Sequence, residues 1–321
     1  MTIESSKQVS VIIPAFNEQA RLPTCLQSLK NLANNGPPLE VIVIDNGSTD
    51  DTQRIAIEFG ARLIKSPDKR VAELRNIGVA AAAGEIIAFV DADCEVLPHW
   101  LQFATIYFEK SDVIAWGTAP KPPENATWVQ KTWNWMRRPD SDIQAVPWLE
   151  SMNLWVRKKD FLEIGGFNER LVTCEDVDLC YRLAQRGRIV SDTRLVIIHH
   201  GEAPDLRTFA RKEHWRATSN WQATRIGGFK FRDLPSLYIP IHFGIVLPLS
   251  IIISLFIGWS NWKFLLPFFL WLFPLIAAAR HITRKGAGLL DVMRFTLLIQ
   301  IYFASRTAAV IAPYRRRRES R

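Results

Sequence analysis

The chain has 321 residues and a formal net charge of +8. It is long enough for one large domain with further elements, and its basic balance suits a nucleic acid, an anionic membrane surface or a phosphorylated substrate. No recognisable nucleic-acid fold accompanies the Arg315-Arg316-Arg317-Arg318 run, which sets nucleic acid aside as a partner. Cys25, Cys94, Cys174 and Cys180 lack C-x-x-C spacing and read as reduced thiols. Met1–Ser10 lacks the apolar segment of a signal peptide.

Val9–Pro14 is a short apolar strand, and Arg21–Leu32 has helical spacing. Glu40–Asp45 is continuous in apolar residues, as a strand buried on both faces is. Asn46-Gly47 turns the chain, and Ser48 or Thr49 caps a helix running to about Phe59. Ala61–Lys65 is a third strand. Val71–Ala83 is an Ala-rich helix stopped by Gly84, and Glu85–Val90 is a fourth strand that delivers Asp91. This alternation predicts an α/β fold with a mostly parallel sheet and helices on both faces. Ligands of such sheets bind beyond the carboxyl ends of the strands, where Pro14, Asp45 and Asp91 sit.

Trp116–Trp148 is rich in tryptophan, with Trp128, Trp133 and Trp135 close to Arg137 and Arg138; sugar stacking, a membrane interface and a packed helix all suit it. A helix opened by Glu175 and Asp176, with Thr173 as its cap, runs to about Arg186. The strand Arg194–Ile198 ends at His199-His200, and the basic stretch Pro204–Ala223 follows.

From Leu234 to Trp262, and again over Phe264–Ala279, there is no Asp, Glu, Lys or Arg. Tyr238–Trp259 is long enough to cross a bilayer, and the shorter second run crosses with help from Trp262, Lys263 and Arg280 at its ends. The expectation is a transmembrane helical hairpin with both ends on the cytoplasmic side, where the basic residues lie. Leu289–Ile311 is helical but interrupted by Asp291, Arg294 and Arg306, so an interfacial helix on anionic lipid fits it better than a third crossing.

Two acidic clusters carry the chemistry. Asp91 and Asp93 flank the small Ala92; in an extended segment they point the same way and reach one cation or one ribose–diphosphate unit, although Asp is also common in strand-end turns. Asp45 either accepts hydrogen bonds from a nucleobase or shapes the Asn-Gly turn. Glu175 and Asp176 suit the positive end of a helix, and equally suit a general base that takes a proton from an acceptor hydroxyl.

Several stretches together are similar to the family 2 glycosyltransferases of GT-A fold. They are Val11–Glu18, Ile42–Thr52, Arg75-Asn76-Ile77-Gly78, Ala83–Cys94, Gly165–Glu169 and Glu175–Leu183, in family order and spacing. The resemblance implies inverting transfer from a nucleoside-diphosphate sugar with a divalent metal, Mg or Mn. By position, it sets Pro14, Glu18 and Asp45 in the nucleotide pocket, Asp91 at the ribose and Arg75 near the nucleotide or its phosphates. Asp93 becomes a metal ligand with His200 beside it, His199 being the alternative, and Asp176 becomes the base. Many relatives have a second Asp where this chain has Asn46. The Q-x-x-R-W signature of processive members is reduced to Gln222-Ala223-Thr224-Arg225-Ile226, which implies one sugar added per acceptor.

These readings divide the chain into a catalytic domain over 1–203, a basic juxtamembrane segment over 204–236, a hairpin over 237–281, and an amphipathic helix with a basic tail over 282–321. The implied function is a glycosyltransferase at the inner membrane, its catalytic domain in the cytoplasm. It would act on a hydroxyl of a lipid-linked or glycan acceptor, with membrane lipids as further partners. Direct transfer to a polyprenyl phosphate and a non-catalytic membrane subunit are the alternatives.

Overall fold

Three strands whose residues reach two buried faces, with a fourth at the sheet's edge, set the architecture. In the computed structural model, β1 (Val9–Ala15) lies between β2 (Leu39–Asp45) and β4 (Ile86–Val90), and β3 (Arg62–Lys65) flanks β2; all of these pairings are parallel. Val11 and Ile13 of β1 join one core with Ala88 of β4, while Ile12 joins the other with Ile87 and Phe89, as the two-residue period of a strand requires. Helices α1 (Leu22–Leu32) and α2 (Thr52–Glu58) cover the first face, and α3 (Val71–Ala81) covers the second. The structure describes residues 7–32, 37–137, 139–218, 240–257 and 288–311, with isolated positions at 272, 276, 280, 283 and 286. Arg315–Arg318, Gln222–Ile226 and most of Phe264–Ala279 lie outside the described residues.

The chain divides into two compact units, Met1–Glu124 with Arg138–Glu202, and Asn125–Arg137 with Ala203–Arg321. The tryptophan-rich helix thus groups with the C-terminal residues rather than with the 1–203 segment that surrounds it in sequence.

In the first unit, β5 (Cys94–Val96), α4 (Trp100–Thr105), β6 (Val113–Gly117), β7 (Ile143–Ala145), β8 (Asn153–Arg157), α6 (Lys158–Glu163), α7 (Glu175–Leu183), β9 (Arg188–Asp192) and β10 (Ile197–His199) complete the fold, α5 (Trp128–Arg137) belonging to the second unit. The eight-stranded sheet has the order β3-β2-β1-β4-β8-β6-β9-β7, and four of its seven pairings among the described residues are parallel. The sheet turns antiparallel at β8 because that strand starts at the ligand edge, with Asn153 opposite Val90. Trp100, Trp116 and Trp155 are fully buried beneath it, Trp155 lying 4.3 Å from Trp100 between ring centroids. A separate ribbon pairs β10 antiparallel with β5, placing His199 opposite Cys94.

Two local expectations change. Helix α2 starts at Thr52 behind Asp51 and not behind Ser48 or Thr49, because those residues are engaged with Asn17: Ser48 Oγ accepts the Asn17 N–H (2.9 Å) and Thr49 N–H donates to Asn17 Oδ1 (2.9 Å). Gly84 does not end α3 in a left-handed turn. A Cβ there would stand 2.7 Å from the Ser10 nitrogen, so it is close approach to β1 that demands glycine.

The second unit contains α5 (Trp128–Arg137), α8 (Leu206–Ala217), a π turn at His242–Val246 leading into α9 (Leu247–Ile257), and α10 (Leu289–Ile311). Asp205 caps α8 by accepting the Thr208 N–H at 2.9 Å. Leu298 of α10 is buried with Val129 and Trp133 of α5 and Phe209 of α8, while Phe295, Ile299 and Phe303 of α10 form a neighbouring cluster with Trp135 and Met136 of α5 and Leu247 of α9. Trp133 packs edge-on to Phe209 at 5.0 Å, so this tryptophan is core. The face of α10 expected on lipid is thus partly a protein core, while Leu289, Leu290, Met293 and Leu297 stay exposed.

The expected transmembrane hairpin over 237–281 finds no support here. Among the described residues no helix is long and apolar enough to cross a membrane. Residues 237–239 and 258–271 and most of 273–281, the greater part of that hairpin, lie outside the described residues.

The buried tryptophan cluster makes a direct prediction. Trp155→Ala should cost about 3–5 kcal/mol of unfolding free energy in a urea titration; a loss below about 1 kcal/mol would contradict the packing described.

Candidate active site

The parallel strands bring their carboxyl ends to one edge, and the acidic residues collect there. Asp45, at the end of β2, is fully buried. Its Oδ2 accepts hydrogen bonds from the backbone of Gly47 (3.0 Å) and Ser48 (3.1 Å) and from Gln53 Nε2 (2.8 Å). Asn46 clamps the next loop, its Nδ2 donating to Lys69 O and its Oδ1 accepting the Lys69 N–H. Pro14 lies half-buried opposite Ile44 in the parallel ladder. Beyond it Asn17 adopts a left-handed conformation (φ 55°), held by the Ser48 and Thr49 contacts. Glu18 follows, its N–H on Thr52 Oγ1 and its carboxylate 3.2 Å from Arg21. Burial raises the Glu18 pKa and the nearby Asp93 raises it further, against the opposing pull of Arg21.

The Asp91-Ala92-Asp93 segment is not extended. Cys94 N–H donates to Asp91 O at 3.0 Å, closing a turn that sends the two carboxylates to different partners. Asp91 Oδ1 accepts from Arg75 NH2 at 2.7 Å. Asp93 Oδ2 lies 3.2 Å from His199 Nε2. The sequence set His200, or else His199, beside Asp93; in the structure the histidine beside Asp93 is His199. The β5–β10 register fixes this choice, since neighbouring residues of a strand face opposite ways. His200 instead meets Glu95 at 3.0 Å, while its backbone N–H bonds Asp93 O at 2.9 Å.

Two residues that sequence reasoning missed complete this corner. Gly201 has no side chain because a Cβ there would fall 1.7 Å from Asp93 Oδ2 and 3.0 Å from His199 Nε2. Glu202 is buried, with Oε2 3.4 Å from His199 Nδ1. Burial alone would lower the His199 pKa; the carboxylates of Asp93 and Glu202 outweigh it and push it up to about 9. The signal available was the run His199-His200-Gly201-Glu202 directly after a strand. Atoms of Asp93, Cys94 and His199 lie within 4.8 Å of one another; the carboxylate, and the imidazole once it gives up its proton, suit a divalent cation such as Mg or Mn, which the thiol does not.

Arg75 joins the two acidic clusters. The sequence set it beside the nucleotide or its phosphates; in the structure its guanidinium, 3% exposed, bonds Asp91 through one terminal nitrogen and Glu175 Oε1 (2.8 Å) through the other. It also stands 5.5 Å over the Phe167 ring. Glu175 is therefore engaged, and Asp176 beside it is not bound to Arg75. Burial, then the charge of Glu175, raises the Asp176 pKa to about 7, the range of a general base working near neutrality. Asp178 is held by Arg182 at 2.7 Å one turn along α7. Cys174, left-handed at φ 65°, takes the N-cap position expected of Thr173 and offers no side-chain cap.

Residues 10–167 match the model of glycosyl transferase family 2. The chain is similar to the glycosyltransferase AglE of Haloferax volcanii, with 29% identity over 61% of this chain and 67% of that protein. It is also similar to the pre-mycofactocin glycosyltransferase of Mycobacterium tuberculosis, with 26% identity over 69% of this chain but about half (48%) of that one. The fold resembles that of the mannosyltransferase PcManGT from Pyrobaculum calidifontis, solved with GDP-Man and Mn2+: TM-score 0.61, 18% identity, covering 97% of this chain and 89% of that one. It also resembles S. aureus TarS 1-349 in complex with UDP-GlcNAc: TM-score 0.54, 14% identity, 97% and 93%.

Gly201→Ala tests the cation corner. The added methyl should displace Asp93 and weaken Mn2+ binding about 10–100-fold, read by electron paramagnetic resonance of the free ion, with the fold intact by circular dichroism. Unchanged affinity would contradict the geometry.

Proposed function

We propose that the chain transfers a sugar from a nucleoside-diphosphate sugar to an acceptor hydroxyl, with inversion at the anomeric carbon. The observation that carries this reading is the single buried Arg75 tying Asp91 to Glu175. It sets a base of raised pKa, Asp176, in the same site as the Asp93–His199 pair. Asp45, Pro14 and Glu18 would line the nucleotide pocket and Asp91 would face the ribose. A divalent cation, Mg or Mn, held by Asp93 and His199, would supply positive charge to the leaving diphosphate.

In this mechanism Asp176 takes the proton of the acceptor hydroxyl as its oxygen attacks the anomeric carbon. The bond from that carbon to the phosphate oxygen breaks, and its electron pair leaves with the nucleoside diphosphate. One displacement inverts the centre. Asp91 and Glu175 hold their places through Arg75, and Glu202 backs His199. The Mn2+ and sugar nucleotides named for the two fold relatives support the choice of donor class and metal.

The acceptor in this reading is lipid-linked or a glycan, and the protein works at the inner membrane with its catalytic unit in the cytoplasm. Support comes from the uncharged run Leu234–Trp262 and from the exposed Leu249, Ile252 and Ile253 of α9.

A donor screen with Mn2+ tests the proposal. One nucleotide sugar should bind and be slowly hydrolysed; Asp93→Asn should lose binding, and Asp176→Asn should keep binding but lose about 10²–10⁴ in turnover. No donor binding with metal present would remove the enzyme reading. The pH dependence gives a second test. Asp176 acts only as carboxylate, so kcat/KM should climb with pH through about 7 and level off above it. A flat profile from pH 5 to 9 (about two units either side) would rule out Asp176 as the base.

A further inference from the structure

The second unit holds a groove of about 510 Å³ between α8 and α10, lined by Ala210, Arg211, His214, Ile301, Ala304, Ser305 and Ala308. Its chemistry is divided. Ala210, Ile301, Ala304 and Ala308 make an apolar floor, and Arg211 and His214 stand on the α8 side. No acid lines it. The one acid of α8, Glu213, is fully buried and bonded to Arg216 (2.6 Å) and Arg306 (3.0 Å). Arg207 and Arg211 of α8 are exposed. This side of the unit therefore carries an excess of positive charge.

The apolar floor continues along α10. Leu290, Met293 and Leu297 are 57%, 63% and 47% exposed, and with Ile301, Ala304 and Ala308 they follow the three-and-four spacing of one helix face. From Leu290 to Ala308 that stripe runs about 27 Å. A helix with its side chains is about 10 Å across, so a groove of 510 Å³ takes little more than one turn of it. A thin, extended hydrocarbon chain suits the space; a partner helix does not.

We propose that this groove binds a single anionic lipid, its hydrocarbon chain lying along α10 and its phosphate headgroup meeting Arg211 and His214. The purpose assigned to it, holding a lipid-linked acceptor, rests on the transfer reading above; the binding itself does not.

The test uses the full chain in amphipol and labelled farnesyl phosphate, with farnesol and inorganic phosphate as controls for the chain and the headgroup. Farnesyl phosphate should bind at least about tenfold tighter than farnesol, and inorganic phosphate should not compete. Ala304→Leu with Ala308→Leu should fill the groove and weaken both farnesyl ligands about tenfold or more. Arg211→Gln with His214→Gln should bring farnesyl phosphate to the level of farnesol and leave farnesol unchanged; this pair keeps the test standing if the leucine variant fails to fold. Equal binding of farnesol and farnesyl phosphate to the unaltered protein would overturn the proposal. So would competition by inorganic phosphate, which marks a free-phosphate site. Full farnesyl phosphate binding in the groove-filled variant overturns it too, and if anionic vesicles still bind that variant the face is a bilayer contact. Nucleotide-sugar binding is measured alongside: its absence with lipid binding intact would sink the transfer reading and leave the groove standing.

Discussion

Everything in the candidate site hangs on one cation among many carboxylates. Arg75 projects from α3 into a cluster where Asp91 ends one strand and Glu175 opens a distant helix, and it bonds both at once. A buried carboxylate without a partner is costly, and Arg75 gives both acids a partner close to Asp93 and Asp176. It also fixes the spacing between the end of the parallel sheet and the start of α7. The charge that remains is negative and gathers at Asp93 and Asp176. That residual charge is what invites a divalent cation at one corner and makes a raised-pKa base at the other.

The sheet half of this was legible in the sequence. Continuous apolar runs such as Val41–Ile44 and Ile86–Val90 can only be buried strands, and an Asp directly after each must sit at the ligand edge. The acidic pair opening α7 was legible for the same reason, since helix starts have a recognisable composition. What escaped was set by tertiary register. Choosing His199 over His200 depends on the pairing of a three-residue strand with β5, and a slip of one residue would reverse it. The Asp91–Asp93 turn, the clamp role of Arg75 and the support from Gly201 and Glu202 likewise depend on partners distant in the chain, which no local pattern reveals.

The C-terminal unit shows a different limit. Hydropathy counts apolar residues without saying what covers them. Leu289–Ile311 read as an interfacial helix in sequence, yet Leu298 packs with Trp133 and Phe209, and Phe295, Ile299 and Phe303 pack with Trp135 and Met136. The tryptophan-rich α5 looked equally suited to sugar, lipid or protein, and the partner that resolved Trp133 lies more than seventy residues away. The apolar residues left over, from Leu290 to Leu297 on α10 and Leu249 to Ile253 on α9, are the ones with work still to explain.

The most direct measurement is a double-mutant cycle on unfolding free energy with Arg75→Met, Glu175→Gln and the pair combined. If Arg75 joins the clusters, Arg75→Met alone should cost about 3–5 kcal/mol, since it strands a buried Glu175. The combined variant should recover part of that loss, with a coupling of at least about 1.5 kcal/mol. Additive losses, within about 0.5 kcal/mol, would mean the two residues do not act on each other, and the clamp would have to be abandoned.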